Sequence, residues 1–102
     1  MPSLKSLILL VIPAAVAEMQ IGTTTEFREC SVNPRPIFAQ TCIGFNSTGS
    51  TNFTRGVGCR QYGNTLCNGN YTTSGYRSGC FENIRFLQSF GTTSGGLYCF
   101  AS

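Results

Sequence analysis

Residues 59–80 read CRQYGNTLCNGNYTTSGYRSGC, and this stretch decides the fold. It carries three cysteines within a short distance, the turn dipeptide Gly63-Asn64, and runs of threonine, serine and tyrosine. Residues of these types favour short extended segments and turns over helices. The stretch therefore predicts a chain of short strands that disulfides hold together.

Cysteine number and spacing extend that interpretation to the whole chain. The chain has six cysteines, an even number, at long and unequal spacings. Close C-x2-C pairs and histidines, which zinc sites generally use, are missing, so we expect neither a metal nor another cofactor. In an oxidising compartment the six predict three disulfides, and their pairing stays open because spacing alone does not choose it. The cysteines are Cys30, Cys42, Cys59, Cys67, Cys80 and Cys99.

The N-terminal segment indicates that compartment. Lys5 precedes an apolar run over residues 7–17, which ends in Ala15-Val16-Ala17. Small residues at these positions are typical of a signal peptidase site, and the run is too short to cross a bilayer. We expect a signal peptide over residues 1–17 and a disulfide-stabilised secreted domain over residues 18–102, extracellular and without a membrane span.

Hydrophobic periodicity within the secreted domain predicts strands. Period-2 patterns or short aromatic runs mark four of them, with the first as an edge strand. These four segments are Thr23–Cys30, Ile37–Phe45, Ile84–Phe90 and Leu97–Phe100.

Two connecting segments complete the predicted organisation. The polar residues 46–56 predict a loop, and Ser74-Gly75, between Tyr71 and Tyr76, predicts a tight hairpin. The fold class that follows is a small, compact, mostly β domain with three disulfides, of Greek-key or sandwich type.

The charged residues argue against catalysis and against nucleic-acid binding. The chain has no histidine and no aspartate, and after loss of the signal peptide six dispersed arginines face four glutamates. An acid–base mechanism would have to rely on glutamates such as Glu29 and Glu82, and nothing in the sequence pairs them. Surfaces that bind nucleic acid generally show clustered positive charge, whereas the arginines of this chain are dispersed. We therefore predict a protein that is not an enzyme and that binds no nucleic acid.

Two groups of residues are candidates for modification or binding. Three sequons place N-glycosylation sites at Asn46, Asn52 and Asn70. Tyrosine and arginine are over-represented among interface hot spots, and an aromatic residue in a polar loop is a further candidate. The predicted contact residues are Phe53, Tyr71, Tyr76 and Arg77.

The segment Tyr62-x4-Cys67-x-Gly69 resembles the Greek-key motif of βγ-crystallin-like proteins, with Cys67 in place of the second aromatic residue. The resemblance covers residues 59–90. Residues 18–55 contain no second copy of the motif, and the resemblance transfers no calcium ligands.

The chain as a whole is similar in design to the small cysteine-rich secreted proteins of filamentous fungi, including biotrophy-associated effectors. The signal peptide, the even cysteine number and the Gly/Thr/Asn-rich β content carry this resemblance. It implies an extracellular protein delivered to a host–pathogen interface. We predict a monomeric effector with a role in virulence that binds a host protein or cell-wall component there. An antimicrobial or killer toxin, or an enzyme inhibitor that presents residues 46–58, is the alternative.

Overall fold

The computed structural model describes residues 19–102, and the predicted signal peptide lies outside them. Within the described residues the chain forms eight strands and a 3₁₀ helix, Asn83–Leu87. The strands are β1 Gln20–Thr25, β2 Arg35–Phe38, β3 Cys42–Asn46, β4 Ser50–Phe53, β5 Val57–Tyr62, β6 Tyr71–Tyr76, β7 Gly79–Glu82 and β8 Ser94–Ala101. The predicted mostly β fold class is confirmed.

The strands build two antiparallel four-stranded sheets. The first sheet has the order β2-β1-β4-β7 and the second has the order β3-β8-β5-β6. Strands β1–β4 form the N-terminal half of the domain, and β5–β8 form the C-terminal half. In each half the fourth strand returns to lie beside the first, as in a Greek key. The third strand of each half, β3 or β7, pairs in the sheet of the other half. The two halves therefore share one connectivity, although the N-terminal half lacks the sequence motif seen at residues 62–69.

The two sheets face each other across one hydrophobic core. Phe53 from the first sheet stacks on Tyr76 from the second, with ring centroids 5.8 Å apart. Phe86 of the 3₁₀ helix lies between the sheets and contacts both Phe53 and Phe45. Ile21 from β1 and Leu97 from β8 are fully buried in the same cluster. Exchange of the third strands and a shared core tie the halves into one unit.

Three disulfides link elements that are distant along the chain. Cys59–Cys99 joins directly opposed residues of β5 and β8 inside the core. Cys42–Cys67 ties the start of β3 to the connection between β5 and β6, and Cys30–Cys80 ties the connection between β1 and β2 to β7. The predicted number of disulfides is confirmed, and the structure supplies the pairing that spacing left open.

Several predicted strand boundaries are wrong. The first strand is not at an edge, since β1 lies between β2 and β4. The segment 37–45 is divided by a turn into β2 and β3, and the predicted loop 46–56 contains β4. In β4 Ser50 and Thr51 are buried because Ser50 Oγ donates to the Phe27 carbonyl and the Thr51 hydroxyl lies 3.0 Å from that of Thr24. Polar residues that are satisfied in this way give no apolar pattern in the sequence.

Two further predictions fail in the C-terminal half. Residues 84–90 were expected to form a strand, but residues 83–87 form the 3₁₀ helix, which buries the adjacent Phe86 and Leu87. Burial of neighbouring side chains suits a helical turn and not a strand, whose successive side chains point to opposite faces. No hairpin forms at Ser74-Gly75, because residues 71–76 are one continuous strand paired with β5.

Candidate functional site

The outer face of the second sheet carries the most distinctive surface of the described residues. In β5 the buried Val57 and Cys59 point to the core, so Arg60 points outward. In β8 the buried Leu97 and Cys99 point inward, so Tyr98 and Phe100 share the outer face. Alternation along two neighbouring strands thus collects polar and aromatic side chains on one exposed surface.

Strand register brings these side chains together around one cation. Arg60 is directly opposite Tyr98 in the β5–β8 ladder, and Tyr71 enters from β6. The Arg60 guanidinium carbon lies 5.0 Å from the ring centroid of Tyr71, 5.5 Å from that of Phe100 and 5.8 Å from that of Tyr98. We call these four residues the Arg60 cluster. Each cation–π contact of this kind contributes roughly 0.5–1 kcal/mol at an exposed site.

The guanidinium of Arg60 keeps its hydrogen-bond donors free. It lies over three aromatic rings and has no hydrogen-bond or ion-pair partner within residues 19–102. No buried side-chain nitrogen in this part of the chain lacks a partner, so the unpaired N–H groups reach solvent. The rings fix the position of the cation and leave its donors available to a ligand.

Beside the Arg60 cluster, two glycines form the floor of a shallow groove. Gly58 and Gly75 are directly opposed in the β5–β6 ladder. A Cβ atom placed on Gly58 would have no atom within 4 Å, so the depression exists because this residue has no side chain. The groove is open to solvent and has a volume of about 580 Å³, and its lining includes Phe100, Thr73 and Ser102. This volume lies within the range of small-molecule sites.

No acidic side chain from the described residues stands on this face. Glu26 follows β1, Glu29 lies in the connection from β1 to β2, and Glu82 ends β7, all parts of the first sheet and its connections. The outward positions of β3, β5, β6 and β8 are aromatic, glycine, small polar or disulfide-bonded residues, apart from Arg60. Among the described residues, no acidic side chain therefore neutralises Arg60 on its own surface.

The four predicted contact residues lie in different environments of the structure. Tyr71, which is 47% exposed, belongs to the Arg60 cluster. Tyr76 lies five positions later on the same strand, so it points to the other face and packs on Phe53 and Phe86. Phe53 is 1% exposed, and its prediction as a contact residue is wrong because β4 places it in the core. Arg77 is exposed after the end of β6.

The hydroxyl of Tyr76 has partners inside the domain. Gln61 Nε2 donates a hydrogen bond to this hydroxyl, and Thr72 Oγ1 donates to Gln61 Oε1 over 3.0 Å. Burial raises the pKa of the Tyr76 phenol, although hydrogen bonds from Ser74 and Gln61 and the charge of Arg85 oppose the rise. These contacts give Tyr76 a structural role at the border of the core.

Three members of the Arg60 cluster are not among the contact residues predicted from the sequence. Arg60 follows Cys59, while Tyr98 and Phe100 flank Cys99. In a strand the neighbours of a core-facing cysteine point outward, so this alternation indicates that the three side chains lie on the outer face. It identifies outward residues one at a time, whereas their meeting depends on the pairing of β5 with β8.

The three sequon asparagines lie in different environments. Asn46 and Asn70 are exposed, at the end of β3 and just before β6, whereas Asn52 is half-buried within the central strand β4. Asn46 and Asn52 were expected in a loop and instead belong to strands. Asn70 directly precedes Tyr71, so a glycan there would lie beside the Arg60 cluster.

Other kinds of site have less support in residues 19–102. All six cysteines form disulfides, and no group of three or more His, Cys, Asp or Glu side chains there is placed to hold a metal ion. In the same residues no helix is both long and apolar enough to cross a bilayer.

In the described residues, fold and site together define a small disulfide-stabilised β domain: two four-stranded sheets that exchange one strand each, three disulfides and an exposed aromatic–arginine face. Comparisons with protein-family models, curated proteins and solved structures find no significant match to the chain. The functional argument therefore rests on the residues of this chain.

Proposed function

We propose that this domain acts outside the producing cell as a non-catalytic binding protein, and that its partner is a host protein or cell-wall component. The observation that supports this most directly is the Arg60 cluster. Tyr71 and Phe100 remain 47% and 38% exposed around a cation that has no hydrogen-bond or ion-pair partner within residues 19–102. Exposed aromatic side chains around an arginine are the composition that binding hot spots favour.

The scaffold supports a role in binding. The Cys59–Cys99 disulfide and the shared core hold both β5 and β8, the strands that carry Arg60, Tyr98 and Phe100. A rigid surface loses little conformational entropy when it binds. Disulfides also suit an oxidising extracellular setting.

The groups on this face suit binding better than turnover. The chain has no histidine or aspartate, and the groove beside the Arg60 cluster is lined by glycine, hydroxyl, aromatic and arginine side chains. None of these groups is an ordinary acid–base catalyst near neutral pH. We therefore propose recognition without a chemical step, at a host–pathogen interface.

The test compares two arginine variants in the producing organism. Arg60→Ala removes the central cation, while Arg28→Ala removes the same charge from an exposed position in the connection between β1 and β2. Arg28→Ala should unfold near the temperature of the unaltered protein. Arg60→Ala loses three cation–π contacts of roughly 0.5–1 kcal/mol each, so its melting temperature should fall by about 6–24 °C. Circular dichroism at the assay temperature checks that this variant is still folded when colonisation is compared.

We expect Arg60→Ala, but not Arg28→Ala, to reduce colonisation of the host by a strain that carries it as the sole copy. Full colonisation by the Arg60→Ala strain would refute the assignment of function to this face. Killing of competing microbes by the purified protein, with no change in colonisation, would instead favour a toxin.

A further inference from the structure

The chemistry of Arg60 selects an anionic ligand. Its guanidinium is held by Tyr71, Tyr98 and Phe100 while its donors remain free. A planar guanidinium matches a carboxylate through two parallel hydrogen bonds, which are stronger than bonds between neutral groups. Because the rings already restrict the arginine, binding a carboxylate costs little additional side-chain entropy.

The groove beside Arg60 is suited to a ring and not to a peptide strand. Its floor residues Gly58 and Gly75 belong to paired strands, and Gly58 also lies opposite Phe100 in the β5–β8 ladder. Gly58 lies in β5, which is paired on both sides, so a ligand over this residue is recognised by side chains. A peptide that added to the sheet would use the free edge of β6 instead.

The walls of the groove supply what a polyhydroxylated ring requires. Phe100 offers an exposed apolar surface on one side. Thr73 and Ser102 contribute hydroxyl groups, each of which donates and accepts hydrogen bonds. Arg60 completes the rim with the one charged side chain among the lining residues.

We propose that this groove binds a carboxylated pyranose, the uronic acid unit of an extracellular polysaccharide. The carboxylate pairs with Arg60, and the sugar ring rests on the Gly58–Gly75 floor against Phe100. This assignment rests on the proposed function, because it names the ligand class of the same face. Charge complementarity favours an acidic saccharide over a neutral one, since no glutamate of the described residues stands on this face.

The probes are oligomers of galacturonic acid and their methyl esters of the same length, which keep the ring and lose the charge. Calorimetric titration should show binding of the free acid. It should show binding weaker by roughly 10- to 100-fold for the ester, the range that a charge-assisted hydrogen bond supports.

Two variants test the two parts of the site. Arg60→Lys keeps the charge but loses the planar fork, so we expect about tenfold weaker binding of the acid. Gly58→Val fills the floor and should abolish binding. Its melting temperature should be kept, because the new Cβ has no atom within 4 Å and a β-branched residue suits a strand. Gly58→Ala is the smaller form of the same change, for use if the valine disturbs folding.

Arg28→Ala is the charge-matched control and should bind like the unaltered protein. Three results would each overturn the proposal. The first is equal affinity for acid and ester, the second is an equal loss of affinity in Arg28→Ala and Arg60→Lys, and the third is unchanged binding by a folded Gly58 variant. Reduced colonisation by Arg60→Ala without any binding of the acid would overturn this ligand class and leave the proposed function standing. Arg60-dependent binding of the acid with full colonisation would support the site and refute the role in the host.

Discussion

Removal of single disulfides should reveal which of them holds the core. Taken alone, closing the 40-residue separation of Cys59–Cys99 restricts the unfolded chain by about 4 kcal/mol, and the 25-residue separation of Cys42–Cys67 by about 3.5 kcal/mol. Chain entropy therefore hardly distinguishes the two bonds. Burial does, because Cys59 and Cys99 are 3% and 0% exposed, whereas Cys42 is exposed.

The double variant Cys59→Ala/Cys99→Ala loses two buried sulfur atoms as well as the crosslink. At roughly 1 kcal/mol for each buried atom of this size, the total loss is about 6 kcal/mol. This is comparable to the whole stability of a typical domain, about 5–15 kcal/mol. Cys42→Ser/Cys67→Ser should lose about 3.5 kcal/mol, because serine at the exposed position 42 leaves no apolar cavity.

The assay is guanidinium unfolding without reductant, followed by circular dichroism and by tyrosine fluorescence, since the chain has no tryptophan. The two probes should give the same slope of unfolding free energy against guanidinium concentration. In partial reduction Cys59–Cys99 should be the last bond to open. An equal or larger loss of stability in the Cys42/Cys67 double variant would refute the argument from burial.

Two further predictions concern buried polar groups. Asn83 is 1% exposed, accepts a hydrogen bond from the Thr51 hydroxyl over 2.7 Å and donates one to the Asn46 carbonyl over 3.0 Å, so Asn83→Ala should lose about 2–3 kcal/mol. Alanine at the neighbouring, 49% exposed Ile84 should lose much less, and similar losses at both positions in urea unfolding would contradict the role of the hydrogen bonds. Burial raises the pKa of Tyr76 above its unfolded value, so its contribution to stability is complete below about pH 10 and is lost as the pH rises through the folded pKa. Absorbance titration should show one phenol ionising late, and persistence of that late phase in Tyr76→Phe would assign it to another tyrosine.

The polar strand β4 shows why a local sequence pattern does not reveal every strand of this domain. Ser50, Thr51 and Asn52 look like a loop because none of them is apolar. Their burial depends on partners far away in the chain, such as Thr24 and Phe27. The same reason applies to Phe53, whose polar neighbours suggested an exposed position until β4 placed it under Tyr76.

The sequence by itself determined the class of fold and the means of holding it together. Glycine, threonine and tyrosine without a helical period indicate strands and turns, and six cysteines in a short chain indicate three disulfides, because composition and parity are properties of the chain alone. Alternation around Cys59 and Cys99 also contained the outward direction of Arg60 and Phe100.

Tertiary structure alone decided which strands are neighbours, and with them the site. The exchange of β3 and β7 between the sheets, the pairing of the cysteines and the register that sets Arg60 opposite Tyr98 are all contacts between segments far apart in sequence. Tyr71 is an example, since its residue type suggested a contact surface, whereas the Arg60 that it contacts lies on the separate strand β5. Such contacts depend on the packing of the whole domain, because each strand alone is compatible with several neighbours and registers.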